Sequence, residues 1–481
     1  MEDCIISLWN LGVRDDTLST MFQMNKKAVV QVNTPLGKTD TFEKDCIVKQ
    51  GTVFGPPMCS TSTAEFADLN KSRGFPIGSV SINTVIFVDD IANINTSTDD
   101  VIESHKYMLL FSLIKRLPMS GPKCILLPIN VPRPFTIPVL SVDDINMEIV
   151  EKALYLGLFH NSKGNNEDMI NDRVQKGMTC MVSVLAMCNE VTLGMYVIQS
   201  LILSYGSIFI PTVLYGAQVW TRLTGDDTEA IVSIQFQFLK RILRVPKGTC
   251  NSITLLELGV LPIECVLEML KLSFLFHVLS LEEDDPVNRL YRQQLIFTNE
   301  PNWANECLSL RKKYKIDGSD DQVKELSREE WKKIVREAVT KKALQDLNAD
   351  KNSKSKSSAY PDASELQCKK YFTVLNREYA SILFRVRSRV EDIKEFRSYQ
   401  YDLEDDVTCR ACKRNTETLH HVLNECPALS TSVCEVGDEY VDNIEKLERV
   451  AVKVKNFLSI TKENSEAVSA PQSSVNEEEV C

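Results

Sequence analysis

The chain has 481 residues, 43% hydrophobic and 25% charged, which suits two or three cored domains and excludes a wholly disordered protein. A net charge of −11 excludes a uniformly basic nucleic-acid binder; residues 301–400 still carry a local +6, so any polyanion contact has to be local. The opening MEDCIISLWN has acidic residues where a secretory signal needs basic ones, and fifteen scattered cysteines suit a reducing compartment, so the chain is expected inside the cell, nuclear or cytoplasmic, and not secreted.

Residues 1–160 mix helical and strand patterns. DCIISLWNLGV has helical apolar spacing ending at Gly12, and KKAVVQVNTPLGKTDTFEKDCIV predicts two strands around a turn. CSTSTAEFADLN reads as helix and SINTVIFVDDIANIN as a hairpin. DDVIESHKYMLLFSLIKRL is an amphipathic helix with Ser97, Thr98, Asp99 and Asp100 as candidate caps. KCILLPI and KALYLGLF are short strand candidates.

Residues 161–300 change to an all-helical pattern, with His277 expected in a helical core. The uncharged run 191–221 is long enough for a bilayer, yet it carries Gln199, Ser204, Pro211 and Gln218 and has no Lys/Arg-rich flank. It therefore predicts a buried helix and no membrane partner. Residues 301–400 form a charged helical region with a flexible linker near 351–362 (KNSKSKSSAYPD), then a helix over YFTVLNREYASILFRVRSRV. A Cys/His module occupies 401–430, and 431–481 is expected as a short helix and an acidic disordered tail.

Two acids sit together in TVIFVDDIANIN, at Asp89 and Asp90. Asp tolerates turn geometry, so the pair by itself reads first as a solvated hairpin turn, with half of a metal site at the rim of a sheet as the alternative. Here the neighbouring segments matter. FVDD resembles the [FY]-x-D-D box of reverse transcriptases, where paired carboxylates hold two Mg²⁺ ions for nucleotidyl transfer. Upstream, VKQGTVFGPPMC is similar to that family's QG-x-x-x-[SG]-P segment on Gln50, Gly51 and Pro56. Downstream, MSGPKCILL resembles the segment whose lysine, Lys123 here, lies near the triphosphate, and KALYLGL resembles the primer grip on Tyr155, Leu156 and Gly157. LYGAQVW and FQFLKRILRVPKGTCNSITLLELGVLP resemble the thumb and connector of LINE-type, non-LTR retrotransposon polymerases.

The resemblance implies an α+β chain: a partial reverse-transcriptase palm over 1–160 (an antiparallel sheet plus helices), an all-helical thumb/connector over 161–300, and a small zinc-binding module. Its implied chemistry extends a DNA primer on an RNA template with deoxynucleotides and Mg²⁺. Asp89 and Asp90 would be catalytic, Gln50, Gly51 and Lys123 would bind nucleotide and template, and Tyr155, Leu156 and Gly157 would grip the primer. The family's third palm carboxylate lies on an earlier strand, in a segment like K-A-F-D-x-V. Met1 falls almost inside the following helix, and Asp15 and Asp16 read as helix caps. Polymerase activity is therefore expected to be incomplete. The states this implies are a truncated element copy, a partial gene model, or a domesticated remnant that binds nucleic acid without catalysis. No endonuclease is expected, with 55 residues after Cys426.

CRACKRNTETLHHVLNECP places Cys409, Cys412, His421 and Cys426 in a C-x2-C-x8-H-x4-C pattern, with His420 as the alternative histidine. Two thiolates three residues apart converge on one ion, and a His and a Cys downstream can complete a tetrahedral Zn²⁺ site. The pattern also resembles the C-terminal module of the non-LTR elements, matching at Glu417, Thr418, Leu419, Glu425 and Pro427. Lys413, Arg414 and the helix bearing Arg385, Arg387 and Arg389 present either a phosphate-binding surface or an ordinary solvated face.

Overall fold

The computed structural model describes residues 2–25, 28–44, 53, 55–69, 74–77, 80–132, 136–142, 144–188, 194–298, 301–397, 407–429, 438–440 and 442–469. Its contacts divide the chain into two compact units, Met1–Gly164 with Leu281–Glu300, and Asn165–Ser280 with Pro301–Cys481. The protein is mixed α+β and mostly helical. Among the described residues every sheet has two strands, and all but one are antiparallel.

In the first unit, α1 (Glu2–Asn10), α2 (Asp15–Asn25) and α3 (Gly55–Leu69) meet through Leu8, Met21 and Met58, a buried cluster flanked by Ile5, Val13 and Leu18. The carboxylates of Asp15 and Asp16 open α2, where they face its positive end. The acidic hairpin is β1 (Thr84–Phe87) and β2 (Asp90–Asn93), paired from Thr84↔Asn93 to Phe87↔Asp90. Its two-residue loop holds Val88 at φ 58, an unfavourable region for a β-branched residue. Side chains of α3 fix that loop: the Val88 carbonyl accepts from Cys59 Sγ at 3.4 Å and from Thr63 Oγ1 at 3.5 Å.

Helix α4 (Thr98–Lys115) starts at Ser97, whose Oγ accepts from the Asp100 N–H at 3.1 Å, and packs on α3 through Phe66 and Phe111. KALYLGLF, expected as one strand, is a hairpin of β3 (Lys152–Tyr155) and β4 (Leu158–Asn161). Leu156 and Gly157 both take positive φ, as tight two-residue hairpins require.

The second unit is helical: α5 (Glu167–Met187), α6 (Gly225–Leu243), α7 (Asn251–Leu258), α8 (Ile263–Ser280), α9 (Trp303–Tyr314) and α10 (Arg328–Asn352) surround buried Phe209, Phe238 and Leu272. Capping boxes start α6 (Thr224 with Asp227) and α10 (Ser327 with Glu330). The described part of the uncharged run 191–221 is a series of short pieces, including a π-turn at Tyr205–Phe209 followed by Pro211 and a left-handed Gly216. Among the described residues no helix is long and apolar enough to cross a membrane. His277, expected in the core, is exposed on α8 beside Phe274.

Along α10 the buried residues are Trp331, Val335, Val339, Ala343, Leu347 and Lys351, a strict four-residue spacing. With about 3.6 residues per turn, that stripe winds roughly 40° further round the helix at each step. Trp331 Nε1 accordingly donates to the Leu272 carbonyl of α8, and Asp350, at the other end, accepts from Ser252 of α7.

The expected flexible linker is instead a packed turn. Lys351 is buried and pairs with Asp362 at 2.6 Å, Ser357 and Tyr360 are buried, and Asn348 exchanges two hydrogen bonds with Ala363. The turn is anchored by Lys351, Ser357 and Tyr360 while Ser353, Ser355 and Ser358 stay exposed, so its composition reads polar. The helix expected over 371–390 is also two: α11 (Tyr371–Val374) and α12 (Arg377–Arg387), the second capped by Asn376.

The helix α13 (Ile444–Ser469) is 26 residues long, not the short helix expected. Residues 470–481 of the expected tail lie outside the described residues.

At the C-terminus of α7, Gly259 has φ 65, and a Cβ there would lie 2.1 Å from the backbone nitrogen of Cys368 and 2.4 Å from the Gln367 carbonyl carbon. Both neighbours are backbone and cannot rotate aside. Gly259→Ala is expected to lower the unfolding free energy by on the order of 3 kcal/mol, read as a fall in the denaturant midpoint with unchanged slope. A loss below about 0.5 kcal/mol would show that the 367–368 segment yields freely.

Candidate metal centre

The knuckle begins as a turn in which the Cys409 carbonyl accepts the Lys413 N–H at 2.8 Å, with Lys413 at φ 58. The Cys409 N–H donates to Asn415 O at 2.7 Å, and Thr408 pairs with Thr416. This brings Cys409 and Cys412 to one side. A single turn at His421–Glu425 then returns His421 and Cys426. The ligand atoms of Cys409, Cys412, His421 and Cys426 all lie within 4.8 Å of one another. Among the described residues this is the one group of Cys, His and acidic side chains so arranged.

The distances test which ion fits. Zinc–sulfur bonds of about 2.3 Å in a tetrahedron put the sulfurs roughly 3.8 Å apart, and sulfur to imidazole nitrogen roughly 3.6 Å. Cys409 Sγ and Cys426 Sγ are 3.9 Å apart, and Cys412 Sγ lies 3.3 Å from His421 Nε2. Three thiols and an imidazole are soft and borderline donors, which suits Zn²⁺ and does not suit Mg²⁺.

The two histidines separate cleanly. His421 is 1% exposed and points Nε2 at Cys412, whereas His420 is half exposed, with its ring facing Asn424 and Glu425. Glu425 Oε2 stands 3.5 Å from His421 Nδ1, the outer position from which a carboxylate orients a ligating imidazole.

The thiols differ because their surroundings differ. Burial alone would raise the Cys412 pKa, but backbone N–H groups of Asn415 and Arg414, with His421, outweigh it and bring the thiol down to about 6. Burial and the neighbouring Cys409 and Cys412 charges push Cys426 up to about 12. A divalent cation among them would replace that repulsion with attraction.

Around the thiols, Glu417 is almost fully buried. Its carboxylate accepts the Arg410 and Lys394 backbone N–H groups at 2.9 Å and the Arg410 guanidinium at 2.7 Å. It thereby ties the Cys409–Cys412 turn to the 391–397 segment. The module is not free-standing: Cys409, Val422 and Cys426 share an apolar cluster with Ile393, Phe396 and Phe457 of α13. The sequence reading missed Arg410, which also donates to the Asp392 carbonyl at 2.7 Å, and Phe457; the available signal was an arginine between the paired cysteines and an acid seven residues on.

Asp89 and Asp90 are exposed and join no metal-capable group among the described residues. Tyr155 Oη donates to Val85 O at 3.4 Å, so the two hairpins touch. Burial and the Asp90 charge both raise the Tyr155 pKa. Lys123 is exposed at the end of a 3₁₀ turn, Gly121–Lys123. Gln50 and Gly51 lie outside the described residues.

Arg385 and Arg387 of α12, and Arg389 just past it, are drawn into contacts within the protein. Arg387 is 5% exposed and pairs with the fully buried Glu257 at 2.6 Å, its guanidinium packed against the rings of Tyr360, Tyr371 and Tyr440. Arg385 pairs with Glu391 at 2.8 Å, and Arg389 lies over Phe396. The buried carboxylates of Glu257 and Glu391 draw Arg387 and Arg385 inward. Lys413 and Arg414 remain exposed beside the knuckle.

Compared with known protein families and with curated proteins, the chain matches none.

Proposed function

We propose that this chain is a reverse-transcriptase-like protein of non-LTR retrotransposon ancestry, catalytically incomplete, that retains nucleic acid and is braced by a structural Zn²⁺. The observation that carries the reading is the company Asp89 and Asp90 keep. The loop that carries Asp89 is held at Val88 by the helix that the QG-like segment leads into, and the Tyr155 hairpin lies against their own. Two-metal nucleotidyl transfer needs carboxylates that converge on both ions. Asp89 and Asp90 join no third carboxylate among the described residues. Zn²⁺ supplies charge and cross-linking at the Cys/His centre. Cys409, Cys412, His421 and Cys426 would hold it, with Glu425 3.5 Å from His421 Nδ1 and Glu417 fixing the turn.

In a primer-extension assay with Mg²⁺ on an RNA template, no extension is expected, and Asp89→Ala is expected to match the parent protein. A labelled RNA is expected to be retained in a filter assay, falling steeply with salt. Extension that disappears in Asp89→Ala would overturn the incompleteness. Absence of both extension and RNA retention would leave the non-enzymatic binder, the second reading, without support.

A further inference from the structure

The three sulfurs of the Cys/His centre are unequally placed. Cys409 and Cys426 are 0% and 7% exposed, packed in a cluster with Ile393, Phe396, Val422 and Phe457, whereas Cys412 is partly open to solvent. A small solvent-borne reagent therefore meets the ligand set at Cys412. Zinc keeps its ligand thiols deprotonated, and the thiolate is the form that reacts with oxidants.

Two further arrangements decide what oxidation there does. Cys409 lies in the same turn, hydrogen-bonded to the Cys412 side chain, with its carbonyl closing the turn on the Lys413 N–H at 2.8 Å. A second thiol so close diverts the first oxidation product into a disulfide, away from the irreversible acids. The module is also braced by contacts that do not pass through the metal. Glu417 holds Arg410 at 2.7 Å, and the apolar cluster ties Cys409 and Cys426 to Phe457 of α13. The sulfurs stay neighbours once a metal departs, so reduction can restore the set.

We propose that this centre is a peroxide-responsive switch, in which Cys412 and Cys409 form a disulfide, release Zn²⁺ and loosen the 391–469 part of the unit. The inference rests on the zinc reading above. The Cys412 sulfur attacks one oxygen of hydrogen peroxide, the O–O bond breaks, and hydroxide leaves to take a solvent proton. The Cys409 thiolate then attacks the sulfur of that sulfenic acid, the S–O bond breaks, and a second hydroxide departs. The two thiolates lose two electrons, and the peroxide becomes two waters. His421 and Cys426 remain, too few for a closed structural zinc site.

The test treats the zinc-loaded full chain with hydrogen peroxide. Released zinc is followed with a chromogenic indicator against an untreated control, and disulfides are mapped by mass spectrometry. One zinc per chain should appear together with a Cys409–Cys412 bridge, and a phosphine reductant with added zinc should restore the starting state. Cys412→His keeps four donors in a Cys2His2 set without the accessible sulfur, and its zinc release should be slowed roughly tenfold or more. Release from Cys412→His as fast as from the parent would overturn the proposal, as would any bridge other than Cys409–Cys412. Should that variant take up no zinc, the bridge map of the parent alone decides. Zinc present but retained under peroxide would sink the switch and leave the zinc assignment standing. An untreated chain without zinc would sink both.

Discussion

Replacing Cys409 with serine is expected to abolish stoichiometric zinc and to loosen the 391–469 part of the second unit. A serine hydroxyl is a poor zinc donor, so the loss should exceed the roughly 100-fold that outer-shell partners cost. Structural zinc contributes folding free energy directly, about 10–16 kcal/mol in isolated finger peptides. Here the loss should be smaller because Phe396, Val422 and Phe457 continue to pack. Metal analysis after dialysis and amide exchange across α13 provide the measurement. Parent protein should carry one zinc per chain, Cys409→Ser none, and His420→Ala one, because His420 turns away from the thiols. Zinc retained in Cys409→Ser, or lost in His420→Ala, would contradict the assignment of ligands. A chelator added to the parent should reproduce the Cys409→Ser exchange pattern.

Glu257→Gln is the second large expected effect. Glu257 is fully buried, pairs with Arg387, and accepts the Tyr371 hydroxyl at 2.7 Å. Glutamine keeps the size and one acceptor but removes the charge. The Arg387 guanidinium stays ionised at any accessible pH, so it is left buried without its counter-charge. Breaking such a pair from one side costs about 3–5 kcal/mol. Adding Arg387→Met should recover a substantial part, since replacing both partners by apolar groups removes the unpaired charge. Urea denaturation of the two variants decides it. A single-variant loss under 1 kcal/mol, or a double variant less stable than the single, would mean the tyrosine rings alone sustain Arg387.

Sequence periodicity made the helical second unit legible, because buried residues along a helix recur near 3.6 and capping residues mark the ends. Thr224 and Ser327 cap α6 and α10 with an acid three residues on, a purely local signal. The zinc-capable centre was legible for the same reason: its ligands lie within eighteen residues, so spacing alone constrains them. Choosing His421 over His420 was not legible, since adjacent residues differ only in which way the single turn at His421–Glu425 faces.

Long-range partners were invisible. Nothing near Arg387 in sequence announces Glu257, 130 residues earlier, so a buried pair read as a basic surface. The KALYLGLF hairpin was missed because Leu156 adopts a left-handed conformation that leucine rarely takes, leaving Gly157 as the lone turn signal. Polar composition likewise misled at 351–362, where Ser357 and Tyr360 are held by tertiary contacts.

The winding stripe on α10 works like a screw thread. Its first turns are seated against one neighbour and its last turns against another. Sliding by one turn, or rolling about its axis, would unseat both ends together. Helix-shift motions of the kind many proteins use to relay signals are thus closed to this element. Movement within the unit has to come from segments that the rod does not engage.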